Sequence, residues 1–203
     1  VQCVQHHPAM SYEDVAAFMQ ALRDREGFAA RGLEFLILTA ARPGEVYGAA
    51  WDEVDLDKAV WTIPDGRMKS HKEHRVPLSE AATTLLQGMQ QQRISDFVFP
   101  GQGPGRPLSN MAFLQLLKRM GHGDLTAHGF RSTFRVWAAE RTSFPRELAE
   151  KALAHAVGNK VEAAYQRGDL FDKRRELMDA WARYCESTES TNSNVTSIHR
   201  TAV

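Results

Sequence analysis

The chain contains 203 residues, and its 25 Lys and Arg residues balance 25 Asp and Glu residues, so its formal net charge is zero. This length suits one domain of ordinary size, and a hydrophobic fraction of 43% is sufficient for a core. A mean hydropathy of −0.41, in a sequence without an apolar run of about 18 residues, argues against a membrane-spanning helix.

The first half of the chain combines helices with one short region of strands. Ser11 and Asp14 resemble an N-terminal cap, and the apolar residues that follow recur at helical spacing: Val15, Phe18, Met19 and Leu22. A second helix is predicted over 32–41, ending near Pro43. Residues 59–63 then predict a strand, 64–66 a turn, and two short strands flank a turn at 70–73. This region predicts a small antiparallel sheet with a cationic tip.

The second half of the chain is predicted to be helical. Ser79 caps a helix that runs to about residue 92, and residues 100–107, rich in Gly and Pro, form an irregular loop. Further helices are expected at about 109–120, 128–141, 145–154, 160–166 and 170–185. From residue 187 onward Ser, Thr and Asn dominate without apolar periodicity, which predicts a mobile tail. The predicted fold class is therefore mostly α with a small antiparallel β-sheet (α+β).

The zero net charge hides an uneven distribution. Residues 11–57 contain ten acidic residues and four arginines, a net charge of −6, whereas residues 58–186 carry a net charge of +6. A neutral balance argues against a nucleic-acid partner, since proteins that bind duplexes usually carry excess positive charge. The asymmetric distribution of charge instead indicates a basic face, which would favour a nucleic-acid partner. Solvated helix faces that differ only in the sign of their charge would give the same numbers.

The positions of the cysteines and the composition of the first residues predict the cellular compartment. Cys3 and Cys185 lie near opposite ends of the sequence, which is not the pattern of a disulfide framework. The first residues lack the basic start and apolar stretch of a signal peptide. A reducing cytoplasm is therefore expected.

Arg42 is the first candidate functional residue. It follows an apolar helix in the segment TAARPGEV (39–46), and its guanidinium cannot lose its charge, so it needs an anionic partner. One interpretation is an ion pair with Glu45. The other is a phosphate clamp, which the planar fork of arginine fits with two hydrogen bonds.

A second group of candidates lies in the C-terminal half. His128 and Arg131, in HGFR, are three residues apart near a helix start, so both side chains can address one anion; an exposed surface pair is the alternative. His155 ends the segment LAH, and Tyr165 follows ten residues later. A lone tyrosine usually fills a core, and its phenol, with a pKa of about 10, becomes a good nucleophile only where cations stabilise the oxyanion. Nearby Arg and His side chains would supply such a field.

Lysines and histidines around the predicted turn are open to several interpretations. Lys69 on a β-turn can swing its ammonium into a neighbouring site as a proton donor, but a solvated turn lysine remains an alternative, and Lys72 competes for the role. His71 and His74, with help from the early histidines at 6 and 7, suggest a metal site. No Cys or carboxylate pair stands at ligand spacing beside them, so this reading is disfavoured.

In chain order these motifs resemble the tyrosine recombinase (phage integrase) family. The resemblance covers about residues 8–185 and rests on the following segments: ARPGEV with Arg42, Lys69 ahead of HRVPLS, HGFR at 128–131, LAH at 153–155, and AAYQR with Tyr165. The phrases HHPA at 6–9 and AAYQR at 163–167 resemble integrases of prophages and genomic islands in particular.

The resemblance implies a tyrosine recombinase catalytic-domain fold and a covalent mechanism. Tyr165 would attack a scissile DNA phosphate and become linked to its 3′ end, releasing a 5′-hydroxyl. Arg42 and Arg131 would clamp the non-bridging oxygens, and His128 and His155 would assist proton transfer and hold the phosphate. No metal, ATP or other cofactor is implied, because the phosphotyrosine bond conserves the energy of the cleaved linkage.

The same resemblance gives Lys69 the role of protonating the leaving 5′-oxygen. It also implies the organisation of the chain: residues 1–10 as a hinge or linker remnant, 11–186 as the catalytic domain and 187–203 as a disordered tail. The implied partner is double-stranded DNA at attachment sites, bound by a homo-tetramer of the full-length protein. A catalytic-domain fragment alone should be monomeric and bind DNA weakly, since family members carry further N-terminal DNA-binding domains.

Three further questions stay open from the sequence. A type IB topoisomerase-like enzyme and a non-catalytic DNA-binding regulator on the same scaffold are the rival functions. The last predicted helix, at 170–185, would pack either against a neighbouring protomer or on its own domain. The expected location is the bacterial cytoplasm, at the nucleoid.

Overall fold

Helices make up most of the protein, and one small sheet lies beside them. The computed structural model describes residues 8–155 and 169–187. Within them the helices are α1 (Val15–Arg23), α2 (Phe28–Thr39), α3 (Pro43–Tyr47), α4 (Glu80–Gln91), α5 (Ala112–Arg119), α6 (Gly129–Arg141), α7 (Arg146–Ala152) and α8 (Phe171–Glu186). The prediction of a mostly α fold with a small antiparallel sheet is confirmed.

The sheet has three antiparallel strands in the order β1 (Val54–Asp55), β2 (Val60–Ile63) and β3 (His74–Pro77). The predicted pair of strands around the 70–73 turn is half wrong, because only β3 forms. On the other side of that turn the chain makes a 3-10 turn, in which the Arg67 N–H donates to the Pro64 carbonyl at 3.0 Å. The third strand comes instead from the segment before β2.

Two helix boundaries differ from the sequence prediction. α2 begins four residues earlier than expected, after Gly27 in the left-handed region at φ 95°. The predicted end near Pro43 is the start of a further helix, because proline suits the first turn of α3, where no N–H is needed. The predicted helix at 160–166 and most of the predicted tail lie outside the described residues.

α2 forms the centre of the core, with nine of its twelve residues buried. It contacts α1, α3, α4, α5 and α8. α8 packs on its own domain, which answers the question left open by the sequence: Trp181 is fully buried, donates from Nε1 to the Ile37 carbonyl at 2.7 Å, and contacts the rings of Phe134 and Trp137. Among the described helices, none is long and apolar enough to cross a membrane.

Candidate anion-binding site

Arg42 lies in the short connection between α2, the central helix, and α3. Ala40 ends α2 in the left-handed conformation at φ 49°, and Arg42 is the N-cap residue of α3. Its backbone N–H donates to Glu45 Oε2 at 2.7 Å, and its Nη1 donates to Glu45 Oε1 at 2.8 Å. The ion pair proposed from the sequence therefore forms, and the buried Glu45 carboxylate fixes both the backbone and the side chain of Arg42.

Arg131 reaches the same place from α6. Its side chain is buried, with Nη1 donating to the Ala40 carbonyl and Nη2 to the Leu153 carbonyl, each at 2.6 Å. Burial and the neighbouring positive charge of Arg42 together lower the pKa of Arg131 to about 10, while Glu45 and Glu150 partly offset them. The group remains a cation at neutral pH, held in a fixed orientation by backbone acceptors.

The two guanidinium groups meet at the end of α7. Arg42 Nη2 donates to the carbonyl of Leu153 at 3.4 Å and to that of Ala154 at 3.1 Å, so Leu153 accepts hydrogen bonds from both arginines. Ala154, like Ala40, has a left-handed backbone, at φ 49°. Two cations from segments far apart in sequence are thereby brought to one carbonyl oxygen, a geometry suited to gripping an anion with several oxygens.

His155 completes the cluster. Its Nε2 lies 3.2 Å from Arg131 Nη2, and its Nδ1 lies 2.6 Å from Glu150 Oε2. The side chain is 39% exposed, so the ring links the buried arginine to solvent. Arg42, Arg131 and His155 are therefore the predicted site residues that the described contacts bring together.

The remaining predicted residues lie on more open parts of the chain. His128 is exposed at the N-terminal end of α6, three residues before Arg131. Lys69 is exposed in the segment between Arg67 and β3, where a proton donor and a solvated lysine both remain open. Tyr165 lies outside the described residues.

An ion pair that the sequence analysis missed connects the Lys69 turn to α3. Arg67, two residues before Lys69, donates from Nη1 to the Glu53 carboxylate and from Nη2 to the Glu45 carbonyl. Glu53 also accepts a hydrogen bond from Trp61 Nε1 at 3.0 Å. No periodicity marks this pair, because Arg67 lies 14 positions after Glu53 and its other partner is the backbone carbonyl of Glu45.

His74 lies on β3 beside this cluster, in surroundings that do not suit a cation. Burial lowers the pKa of its imidazole from 6.5 to about 4, and the positive charges of Arg174 and Arg42 act in the same direction, while Glu45 partly offsets them. His71, its suggested partner in a metal site, is exposed. The described residues contain no group of three or more His, Cys, Asp or Glu that could hold a metal, and residues 6 and 7 lie outside them.

Solved recombinases share this fold. The protein is similar to a lambda integrase fragment, residues 75–356, solved as a dimer on a COC′ core site, with a TM-score of 0.60 and 14% identity over 77% of this chain and 60% of that one. It is also similar to XerA recombinase, with a TM-score of 0.59 and 15% identity over 90% of this chain and 64% of that one. At such identities the likeness concerns the fold: a tyrosine recombinase catalytic domain.

Sequence comparison narrows the class to a family. The model of the phage integrase family matches residues 9–169, and the chain belongs to this family. It is 38% identical to the prophage integrase IntA of Escherichia coli K12 over 76% of this chain, and 31% identical to the integrase of Shigella phage Sf6 over 90% of it. The chain spans 38% of the length of the first relative and 49% of the second.

Proposed function

We propose that residues 11–186 are the catalytic domain of a site-specific DNA recombinase, an integrase that cleaves and rejoins DNA to integrate or excise a mobile element. The observation that carries the proposal is the convergence of Arg42, Arg131 and His155, in which both guanidinium groups reach the Leu153 carbonyl and the imidazole lies 3.2 Å from Arg131. Membership of the phage integrase family supports the same reaction.

The chemistry suits a phosphodiester that gains negative charge as it is attacked. Two planar guanidinium groups can hold its non-bridging oxygens with several charge-assisted hydrogen bonds. Arg131 is fixed by the Ala40 and Leu153 carbonyls and Arg42 by Glu45, so little reorganisation is needed when the charge develops. Preorganised cations in a partly buried site are the main source of transition-state stabilisation in this proposal.

The proposed covalent step is a transesterification with Tyr165 as the nucleophile. Its phenolic oxygen forms a bond to phosphorus while the bond from phosphorus to the 5′-oxygen breaks, leaving a 3′-phosphotyrosyl linkage. Lys69 donates a proton to the departing 5′-oxygen. His128 and His155 hold the phosphate and assist proton transfer by accepting the proton that the Tyr165 phenol loses. A different 5′-hydroxyl then reverses the attack, which exchanges strands without metal or ATP.

The proposed partner is double-stranded DNA at attachment sites, in the bacterial cytoplasm at the nucleoid. Lambda integrase, which shares the fold, has been solved as a dimer on a core site and as a tetramer on a Holliday junction. By analogy the full-length protein would act as a homo-tetramer on DNA, whereas the domain formed by 11–186 would be monomeric, with 1–10 as a linker and 187–203 as a disordered tail.

A nicked suicide substrate carrying the attachment core sequence tests the proposal. Wild-type protein should form a covalent protein–DNA adduct that survives denaturation and maps to Tyr165, and Tyr165→Phe should form none. Equal trapping by both proteins would refute the assignment of the nucleophile. Loss of cleavage in EDTA would contradict the metal-free mechanism. The full-length protein serves as the control for weak DNA binding.

Two further arms separate the rival functions and the proton donor. A topoisomerase-like enzyme would relax supercoiled DNA without an attachment site, and a regulator would bind DNA without forming an adduct. Lys69→Ala should slow cleavage of normal DNA, while a 5′-phosphorothiolate, whose leaving group needs no proton, should restore the rate. Failure of this rescue, with rescue of Lys72→Ala instead, would transfer the role to Lys72.

A further inference from the structure

Glu150 contacts His155 through both its side chain and its backbone. Its side-chain Oε2 lies 2.6 Å from His155 Nδ1, and its backbone carbonyl accepts the His155 backbone N–H at 2.9 Å. The carboxylate is largely buried, with 13% of its side chain exposed. Glu150 lies on α7, and the chain leaves this helix just before His155, so the helix determines where the imidazole stands.

The second carboxylate oxygen is also occupied. Glu150 Oε1 accepts from Arg135 Nε at 2.8 Å and forms an ion pair with Arg135 Nη2 at 2.7 Å, and Arg146 Nε lies 3.6 Å away. Arg135 follows Arg131 by about one turn of α6. α6 therefore supplies one arginine for each side of the imidazole. Arg131 contacts Nε2 directly, and Arg135 acts on Nδ1 through the Glu150 carboxylate.

These contacts determine which ring nitrogen carries the proton in the protein without DNA. A guanidinium can only donate, so the contact between Arg131 Nη2 and His155 requires Nε2 to be the acceptor. The proton must then reside on Nδ1, facing the carboxylate. Although burial alone raises the pKa of Glu150, the hydrogen bond with His155 and the charge of Arg135 lower it overall, so the carboxylate is ionised and can accept that proton.

We propose that Glu150 is a positioning residue that holds His155 in the Nδ1–H tautomer with Nε2 directed at Arg131 and the bound phosphate. The proposal rests on the function proposed above and adds a residue to it. Arg135 supports the arrangement by fixing the carboxylate. When Nε2 takes up the proton that the Tyr165 phenol loses, the carboxylate stabilises the imidazolium. Nε2 can then no longer accept from Arg131 Nη2, and a phosphate oxygen takes its place as the acceptor.

A nitrogen-15 NMR experiment on the chain without DNA tests the tautomer directly. The long-range correlations of the imidazole rings distinguish protonated from unprotonated ring nitrogens, and His155→Asn identifies the signals of His155. At pH 7.5 wild-type protein should show His155 as the single Nδ1–H tautomer. Glu150→Gln and Glu150→Ala should lose this single tautomer. Glu147→Gln, on the same helix and paired with Lys151 at 3.7 Å, is the matched control and should leave it unchanged.

Adduct formation provides the second readout. Glu150→Gln should slow formation of the covalent adduct by about tenfold or more, less than the roughly 10²–10⁴-fold for complete loss of assisted proton transfer because His155 itself remains, while Glu147→Gln should not. In the His155→Asn variant, adding Glu150→Gln should not slow adduct formation any further. Thermal unfolding of each variant shows whether it is folded, and Glu150→Gln, which keeps the side-chain shape, replaces Glu150→Ala if the latter unfolds.

The outcomes separate this inference from the proposed function. A wild-type Nε2–H tautomer, or an unchanged tautomer in Glu150→Gln, would overturn the positioning role whatever the activity. If Glu150→Gln slowed adduct formation equally in the wild-type and His155→Asn backgrounds, the positioning role would also be overturned, because the effect of Glu150 would not depend on His155. If wild-type protein forms no adduct but the NMR result is as expected, the proposed function fails while the tautomer assignment stands.

Discussion

Replacing Glu45 by Gln tests the energetic importance of the carboxylate that holds Arg42. The side chain is 6% exposed, and its two oxygens accept hydrogen bonds from the Arg42 backbone and guanidinium at 2.7 and 2.8 Å. A glutamine offers one acceptor oxygen and one NH₂ group, so one of these donors would face another donor. The substitution keeps the volume and removes the charge, which isolates the polar contribution.

The expected loss follows from the burial of these groups. A buried donor left unsatisfied costs about 1–3 kcal/mol, and hydrogen bonds to charged groups lie at the upper end of the usual range, so we expect Glu45→Gln to cost about 2 kcal/mol. For a chain of this size each kcal/mol lowers Tm by roughly 2–4 °C, which gives a decrease of about 4–8 °C.

Urea denaturation followed by the fluorescence of the four tryptophans provides the measurement. Glu147→Gln is the control, because its ion pair with Lys151 is long, at 3.7 Å, and partly exposed, so its loss should cost less than about 0.5 kcal/mol. If Glu45→Gln were no more destabilising than this control, the carboxylate would not be holding Arg42, and the explanation for the preorganised guanidinium would be wrong.

Four further substitutions test other parts of the fold. Gly129→Ala should destabilise the protein by about 1–3 kcal/mol in urea, because the added Cβ would lie 2.3 Å from the Pro8 carbonyl oxygen, whereas Gly88→Ala, in open space on α4, should stabilise it by up to about 1 kcal/mol. Since the folded-state pKa of His74 is lowered from 6.5 to about 4, its contribution to stability should be complete above pH 6.5 and be lost towards pH 4 as the half-buried ring takes up a proton; His74→Gln should weaken that loss in urea titrations at each pH, and an unchanged slope would contradict it. Trp181→Phe should cost about 2–3 kcal/mol in thermal unfolding, through a cavity and a lost hydrogen bond, and a variant as stable as wild type would contradict the packing.

The sequence predicted those elements whose local signals agree with their surroundings. α4 matches its predicted bounds within one residue, because the Ser79 side chain accepts a hydrogen bond from the Ala82 backbone and the apolar residues share one face. The start of α2 was missed because the helix is buried on nearly all sides, so no polar face marks its register. β1 was missed because two residues are too few to show alternation.

The candidate site was predictable to the extent that it is built from side chains. The resemblance carried by the motifs of Arg42, Arg131 and His155 implied that they act on one phosphate, and the structure brings the three side chains together. The backbone acceptors that hold these side chains were not predictable. Every residue type has a backbone carbonyl, so nothing in the sequence marks the carbonyl of Leu153. Glu150 was missed for another reason: a carboxylate five residues before a histidine has no distinctive spacing until the end of α7 folds the two together.

The left-handed backbones of Ala40 and Ala154, the two such alanines at the site, affect how the site opens. Such a backbone costs an L-residue about 1–2 kcal/mol, so Ala40 and Ala154 together store about 2–4 kcal/mol beside the arginines. Each is restrained by an arginine from a distant segment: the Ala40 carbonyl by Arg131 and the Ala154 carbonyl by Arg42. Losing either guanidinium contact lets the alanine that it restrained relax, so the site should open as one cooperative unit at a lower free energy than global unfolding.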